Sequence, residues 1–151
     1  MSGGTEPLRA AHRTAWALGS VLCVGTPGLL AALMLSGAVP PGAQVPEGLF
    51  EQVGYLFTGL VFLTGAWVWG RRGRVLRGLK AVPEDQRPSL IVREGLLYAA
   101  VLEVSCLCGL VYWSLVGTHA ARHAWGFILL TPMLFAALMP RYAQWVKGTE
   151  G

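Results

Sequence analysis

Four apolar runs decide what this chain can fold into: roughly Thr14–Gly37, Leu49–Gly70, Glu94–Val116 and Ala124–Met139. The first three reach the ~20 residues that carry a helix across a ~30 Å hydrocarbon core, and the fourth is short for a full crossing. Inside hydrocarbon every backbone N–H and C=O must be satisfied within the segment itself, so each run is expected to be helical. These runs take up most of the 151 residues and leave no room for a separate soluble domain. The expected fold class is therefore all-α: a single integral membrane bundle of four transmembrane helices.

The distribution of charge orients that bundle. Of the twelve Lys and Arg residues, only Arg122 falls in the first or third connection. Arg9 and Arg13 precede the first run, Arg141 and Lys147 follow the last, and the other seven lie in the basic loop 71–93. Cytoplasmic segments carry the basic excess, which predicts both termini and this loop inside, in an inner (cytoplasmic) membrane. The net charge of +4 is then an orientation signal, and no nucleic-acid partner is expected.

Within the third run, Glu103 lies roughly 15 Å along the helix from Arg93, near the hydrocarbon centre. A carboxylate there costs about 2.5–3.5 kcal/mol even on a lenient insertion scale. It is expected to be neutral, paired, or turned toward other helices or water, and it is the candidate for proton or cation exchange. Leu96, Ala99, Ala100, Glu103, Cys106, Leu110 and Ser114 recur at helical spacing and predict a packed face around it. Gly54, Thr58 and Gly65 of the second run are small residues that suit close approach by another helix. Thr58 and Thr131 are the expected hydrogen-bond partners of a neutral Glu103. Cys23, Cys106 and Cys108 all fall inside runs; C-x-C lacks zinc spacing, so the three read as small core residues.

Several weak points punctuate the runs. Gly25-Thr26-Pro27-Gly28 predicts a loosened or kinked first helix, and Thr131-Pro132 a second mid-membrane break. Ser36-Gly37-Ala38 resembles a signal-peptidase site, but the preceding apolar run is longer than a usual signal segment, so the first span is expected to be kept. In the basic loop, Val75, Leu76, Leu79 and Val82 share a helical face. Arg71, Arg72, Arg74, Arg77 and Lys80 are candidates for contact with lipid headgroups or a partner's acidic surface. Ser89 is the expected cap of the third helix. Trp16, Tyr142 and Trp145 are expected as interfacial anchors.

From Gly54 to Leu115 the chain resembles the hairpin of a rotary ATP synthase c subunit. The shared features are a glycine-bearing first helix, a polar loop with Arg and Pro, a lone carboxyl in the next helix, and the following Gly109-Leu110-Val111. The resemblance implies that Glu103 carries an exchanged proton. His119 and His123, spaced i, i+4, could share a metal with Glu47 and Glu51 on the same side. No nucleophile–base–acid set, phosphate-cradling glycine loop, C-x-x-C or haem-attachment sequence is present. The overall expectation is a non-catalytic helical subunit or accessory protein of a larger membrane complex, with no cofactor. Its partners would be the lipid bilayer and other membrane subunits, or further copies of itself.

Overall fold

The computed structural model describes residues 5–43 and 47–150. Among them all regular structure is helical: α1 (Thr5–Ser20), a π-helical turn (Val21–Gly25), α2 (Thr26–Leu35), α3 (Glu47–Gly78), a 3-10 turn (Leu79–Ala81), α4 (Arg87–Val116), a second 3-10 turn (Gly117–Ala120), α5 (Ala121–Leu138) and α6 (Tyr142–Glu150). Four continuous stretches are long and apolar enough to cross a membrane: Glu6–Leu35, Gly48–Ala81, Arg87–Val116 and Ala121–Thr149.

Each stretch outruns its apolar core, most clearly α3. The basic loop 71–93, where the face of Val75, Leu76, Leu79 and Val82 would suit a short amphipathic helix in the headgroups, is instead helical up to Gly78 as a continuation of α3 and again from Arg87. Nothing between Arg71 and Gly78 interrupts a helix, and the apolar face of Val75, Leu76 and Leu79 gives it something to pack on. That face is covered by the chain itself, because these residues join the core cluster that holds Trp145 of α6. Only the segment around Pro83 breaks the path. Pro88 occupies the first turn of α4, where its missing N–H costs nothing. Ser89 therefore lies inside that turn rather than capping it; its hydroxyl donates to the Gln86 carbonyl at 2.8 Å.

The first stretch is loosened where expected. Pro27 removes the donor that the Cys23 carbonyl would accept and crowds that carbonyl with its ring. The helix responds by widening into the π turn Val21–Gly25 immediately before it. Pro132, by contrast, sits inside an uninterrupted α5.

At the centre is α4, with α1 and α5 packed tightly against it and α3 further out. Half of the apolar window of α4 is buried within the bundle, against 11% for α3. The tight contacts run through glycines. A Cβ on Gly95 would come within 2.8 Å of both the Ala15 Cβ and the Met139 methyl; one on Gly109 would meet Ile128 at 2.6 Å. Two clusters fill the interior, one around Ala15, Tyr98, Leu102, Phe135 and Trp145, the other around Met34, Cys106, Tyr112 and Ile128. Trp16 packs edge-on to Phe135 at 5.2 Å.

The chain start, the α3–α4 connection and α6 meet at one end of the bundle, the basic end. There α6 folds back under α1 and the Leu79–Ala81 turn. Trp145, expected as an interfacial anchor, is fully buried in that layer, and the Arg9 guanidinium lies 5.8 Å from the centre of the Tyr142 ring.

Candidate functional site

Two carboxyls on α4 set the polar chemistry of the interior. Nine residues separate Glu94 from Glu103, about 13 Å along the axis and two and a half turns, so they leave the helix on opposite sides.

Glu94 faces α3. Its carboxylate is only 1% exposed, and Arg71 grips it with two parallel hydrogen bonds, Nε to Oε2 and Nη2 to Oε1, both 2.7 Å. Arg93 adds a looser contact at 3.8 Å from a largely exposed side chain. The Tyr98 hydroxyl stands beside the same carboxylate, outside hydrogen-bonding geometry. The guanidinium of Arg71 also lies 5.4 Å from the centre of the Trp67 ring. One residue on, Arg72 donates to the Leu138 carbonyl (3.2 Å) and to Gln144 Oε1 (2.7 Å), and stacks over Trp69 at 5.2 Å. Adjacent arginines thus tie α3 to α4, to the end of α5 and to α6. Both were expected to contact headgroups or a partner; here their guanidinium groups are engaged inside the chain. Arg74, Arg77 and Lys80 are exposed.

Glu103 faces the other way, toward the π turn. It is half-buried, its Oε1 is shielded and without a hydrogen-bond partner, and Cys23 is its neighbour across the helix contact. The Cys23 thiol points at the Ala99 carbonyl, 3.5 Å away. Neither threonine expected as a partner serves: Thr58 is exposed and donates to the Gly54 carbonyl at 2.8 Å, while the buried Thr131 hydroxyl is itself unpartnered.

The expected packed face is in fact split. Counted at about 100° per residue from Leu96, Ala99 and Cys106 fall near −60° and −80°, Glu103 near −20°, and Ala100 near +40°. Ala99 and Cys106 are buried, whereas Leu96, Ala100 and Ser114 are exposed, so Glu103 sits on the border between bundle interior and flank. The buried line runs through Gly95, Ala99, Leu102, Cys106 and Gly109; Ala99 and Cys106 were expected to pack, whereas Gly95, Leu102 and Gly109 were not. A Cβ added at Gly54 or Gly65 would make only ordinary contacts, with Tyr112 at 3.5 Å and with the Leu138 methyl at 4.0 Å.

At the end opposite the basic one, His123 is exposed, with its ring 6.1 Å from that of Tyr112. The side chains of His119 and Glu47 lie outside the described residues. Among those described, no three His, Cys, Asp or Glu side chains gather closely enough to hold a metal ion. Cys23, Cys106 and Cys108 are buried free thiols.

Comparison with protein families, with curated proteins and with solved structures finds no match.

Proposed function

We propose that this chain is a non-catalytic helical subunit of a larger complex in the inner membrane, with both termini and the α3–α4 connection in the cytoplasm. The observation that carries this reading is the position of Glu103. Its depth on α4, about 24 Å from Arg87, puts it near the middle of a crossing helix. Its side chain is half-buried on the border of the bundle, so part of it reaches the outer surface at that depth. A polar group facing lipid at that depth is costly, whereas a donor from a neighbouring chain would satisfy it at close to no expense. The orientation rests on the basic end, where the chain start, the α3–α4 connection and α6 come together.

The same carboxyl supports a second reading, proton or cation exchange in a self-assembled oligomer, the role its counterpart has in the rotary c subunits that the hairpin resembles. Native mass analysis after mild-detergent extraction from the host separates the two. Other subunits retained in fixed ratio support the first reading. A lone chain or a homo-oligomer refutes it, and proton flux in liposomes, lost in Glu103→Gln, then establishes the second.

A further inference from the structure

The helices α3 and α5 run in the same direction away from the end opposite the basic one, and the seam between them has two compartments. The first, at that end, is a cavity of about 360 Å³ walled by Phe50, Glu51 and Tyr55 of α3 and by Arg122 and His123 of α5, with Tyr112 of α4 at its back. The Tyr112 hydroxyl donates to the Phe50 carbonyl at 3.3 Å, which seats the start of α3 over α4 and shapes the cleft. The second compartment follows on the next turns of the same two helices. It is an apolar groove of about 370 Å³ bounded by Val61, Phe62, Gly65 and Trp69 on one side and by Leu130 and Leu134 on the other.

We infer that this seam is a binding site for one zwitterionic phospholipid, its headgroup in the cleft and an acyl chain in the groove. Charge argues for the headgroup. Glu51 and Arg122 border one hollow from opposite helices, and among the described residues neither is closed into an ion pair. An occupant that answers both charges carries an ammonium for Glu51 and a phosphate for Arg122, with His123 as a further donor. The aromatic walls add favourable contact with the ammonium.

Continuity argues for the tail. From Glu51 in the cleft to Gly65 in the groove the seam runs about 21 Å along α3, close to the ~20–22 Å of one leaflet with its headgroup layer. A soluble zwitterion would fill the cleft and leave the groove; a fatty acid would fill the groove and leave Glu51 without a cation. Gly65 keeps the groove open, because a Cβ there would touch only a Leu138 methyl at 4.0 Å.

The test is lipid retention by the full chain, read by native mass spectrometry after titration with phosphatidylethanolamine or phosphatidylglycerol, with soluble phosphorylethanolamine as competitor. One phosphatidylethanolamine per chain is expected, held about tenfold more tightly than phosphatidylglycerol, a preference of ~1.4 kcal/mol. Glu51→Ala should abolish that preference, and Arg122→Ala should lower the retention of both lipids, since both carry the phosphate. Gly65→Phe, which fills the groove, should reduce retention, whereas Gly59→Phe, on the same helix in open space, should not. Leu134→Phe fills the groove from α5 and replaces Gly65→Phe if that variant fails to fold. Equal retention of both lipids, survival of the preference in the Glu51 variant, undiminished retention in the Arg122 variant, or equal effects of the Gly65 and Gly59 variants would overturn the site. Full displacement by soluble phosphorylethanolamine at lipid-like concentration would overturn the groove as part of it.

Discussion

Removing Arg71 is the sharpest test of how the bundle is held together. The Glu94 carboxylate is 1% exposed and has two 2.7 Å hydrogen bonds from this one side chain. Arg71→Met keeps much of the aliphatic stem but strands the carboxylate. Breaking a buried pair from one side costs about 3–5 kcal/mol, because the remaining charge stays desolvated. Two features reduce that here: Arg71 is 31% exposed, and Arg93 stands 3.8 Å from the same oxygen. The expected loss is therefore about 2–3 kcal/mol, at or below the low end of the range. Glu94→Met should cost less, about 1–2 kcal/mol, since the arginine left behind can reach toward water. The Arg71→Met/Glu94→Met pair should recover to within about 1 kcal/mol of the unaltered protein, because neither charge then needs a partner. Unfolding by SDS titration in mixed micelles, run as a double-mutant cycle, measures all three. A loss below about 1 kcal/mol for Arg71→Met, or simple addition of the two single effects, would refute the claim that this pair clamps α3 to α4.

Other consequences follow from packing. Trp145→Ala should cost about 3–5 kcal/mol by leaving a cavity between α6, α1 and the Leu79–Ala81 turn, read in the same titration. Gly109→Leu should destabilise by about 1–3 kcal/mol or push α5 outward, because the added atoms meet Ile128 and the Ala124 carbonyl; cross-linking between cysteines placed on α4 and α5 reports the displacement. Pro27→Ala should let the Val21–Gly25 turn tighten to an α-helix and rotate Cys23 relative to Ala99, seen as a changed amide pattern for residues 21–28 by NMR in micelles.

The architecture was legible because hydrocarbon permits so few solutions: four apolar runs without strand-like alternation leave helices as the economical answer. Helix ends were harder to see. Arg71–Gly78 reads as a loop by charge, and only the tertiary partner α6 turns its apolar face into the reason for a helix. Trp145 shows the same limit, since an isolated Tyr-x-x-Trp at a chain end is equally at home in a headgroup layer. The carboxyls divided along similar lines. Glu103 stands out by being alone among apolar residues, whereas Glu94 is adjacent to Arg93 and looks solvated, although it is the more buried of the two. What hides it is Arg71, which is 23 residues away in the chain and charged as a topology signal would be. The glycine line was present in the letters as Gly95, Ala99, Leu102, Cys106 and Gly109. The face predicted around Glu103 shares only Ala99 and Cys106 with it, because centring on Glu103 turns the face by a few tens of degrees.

That opposite placement of the two carboxyls has a mechanical consequence for α3. Gly95 and Gly109 allow α1 and α5 to close on α4 along its length, but α3 has no such close approach to α4. It is fastened instead at its basic end, where Arg71 holds Glu94 and Arg72 holds Leu138 and Gln144. Toward its start it is held without an ion pair among the described residues, by contacts that include the Tyr112 hydroxyl on the Phe50 carbonyl and the Phe57 ring against Tyr112 at 6.3 Å and Phe127 at 6.2 Å. A helix secured firmly at one end and lightly at the other leaves a seam open along α5, and the cleft lies at the lightly held end. On this view the arginine pair and the lipid act on the same helix from opposite ends. Loss of the clamp should loosen the groove before the cleft, so Arg71→Met should weaken lipid retention even though Arg71 touches neither compartment.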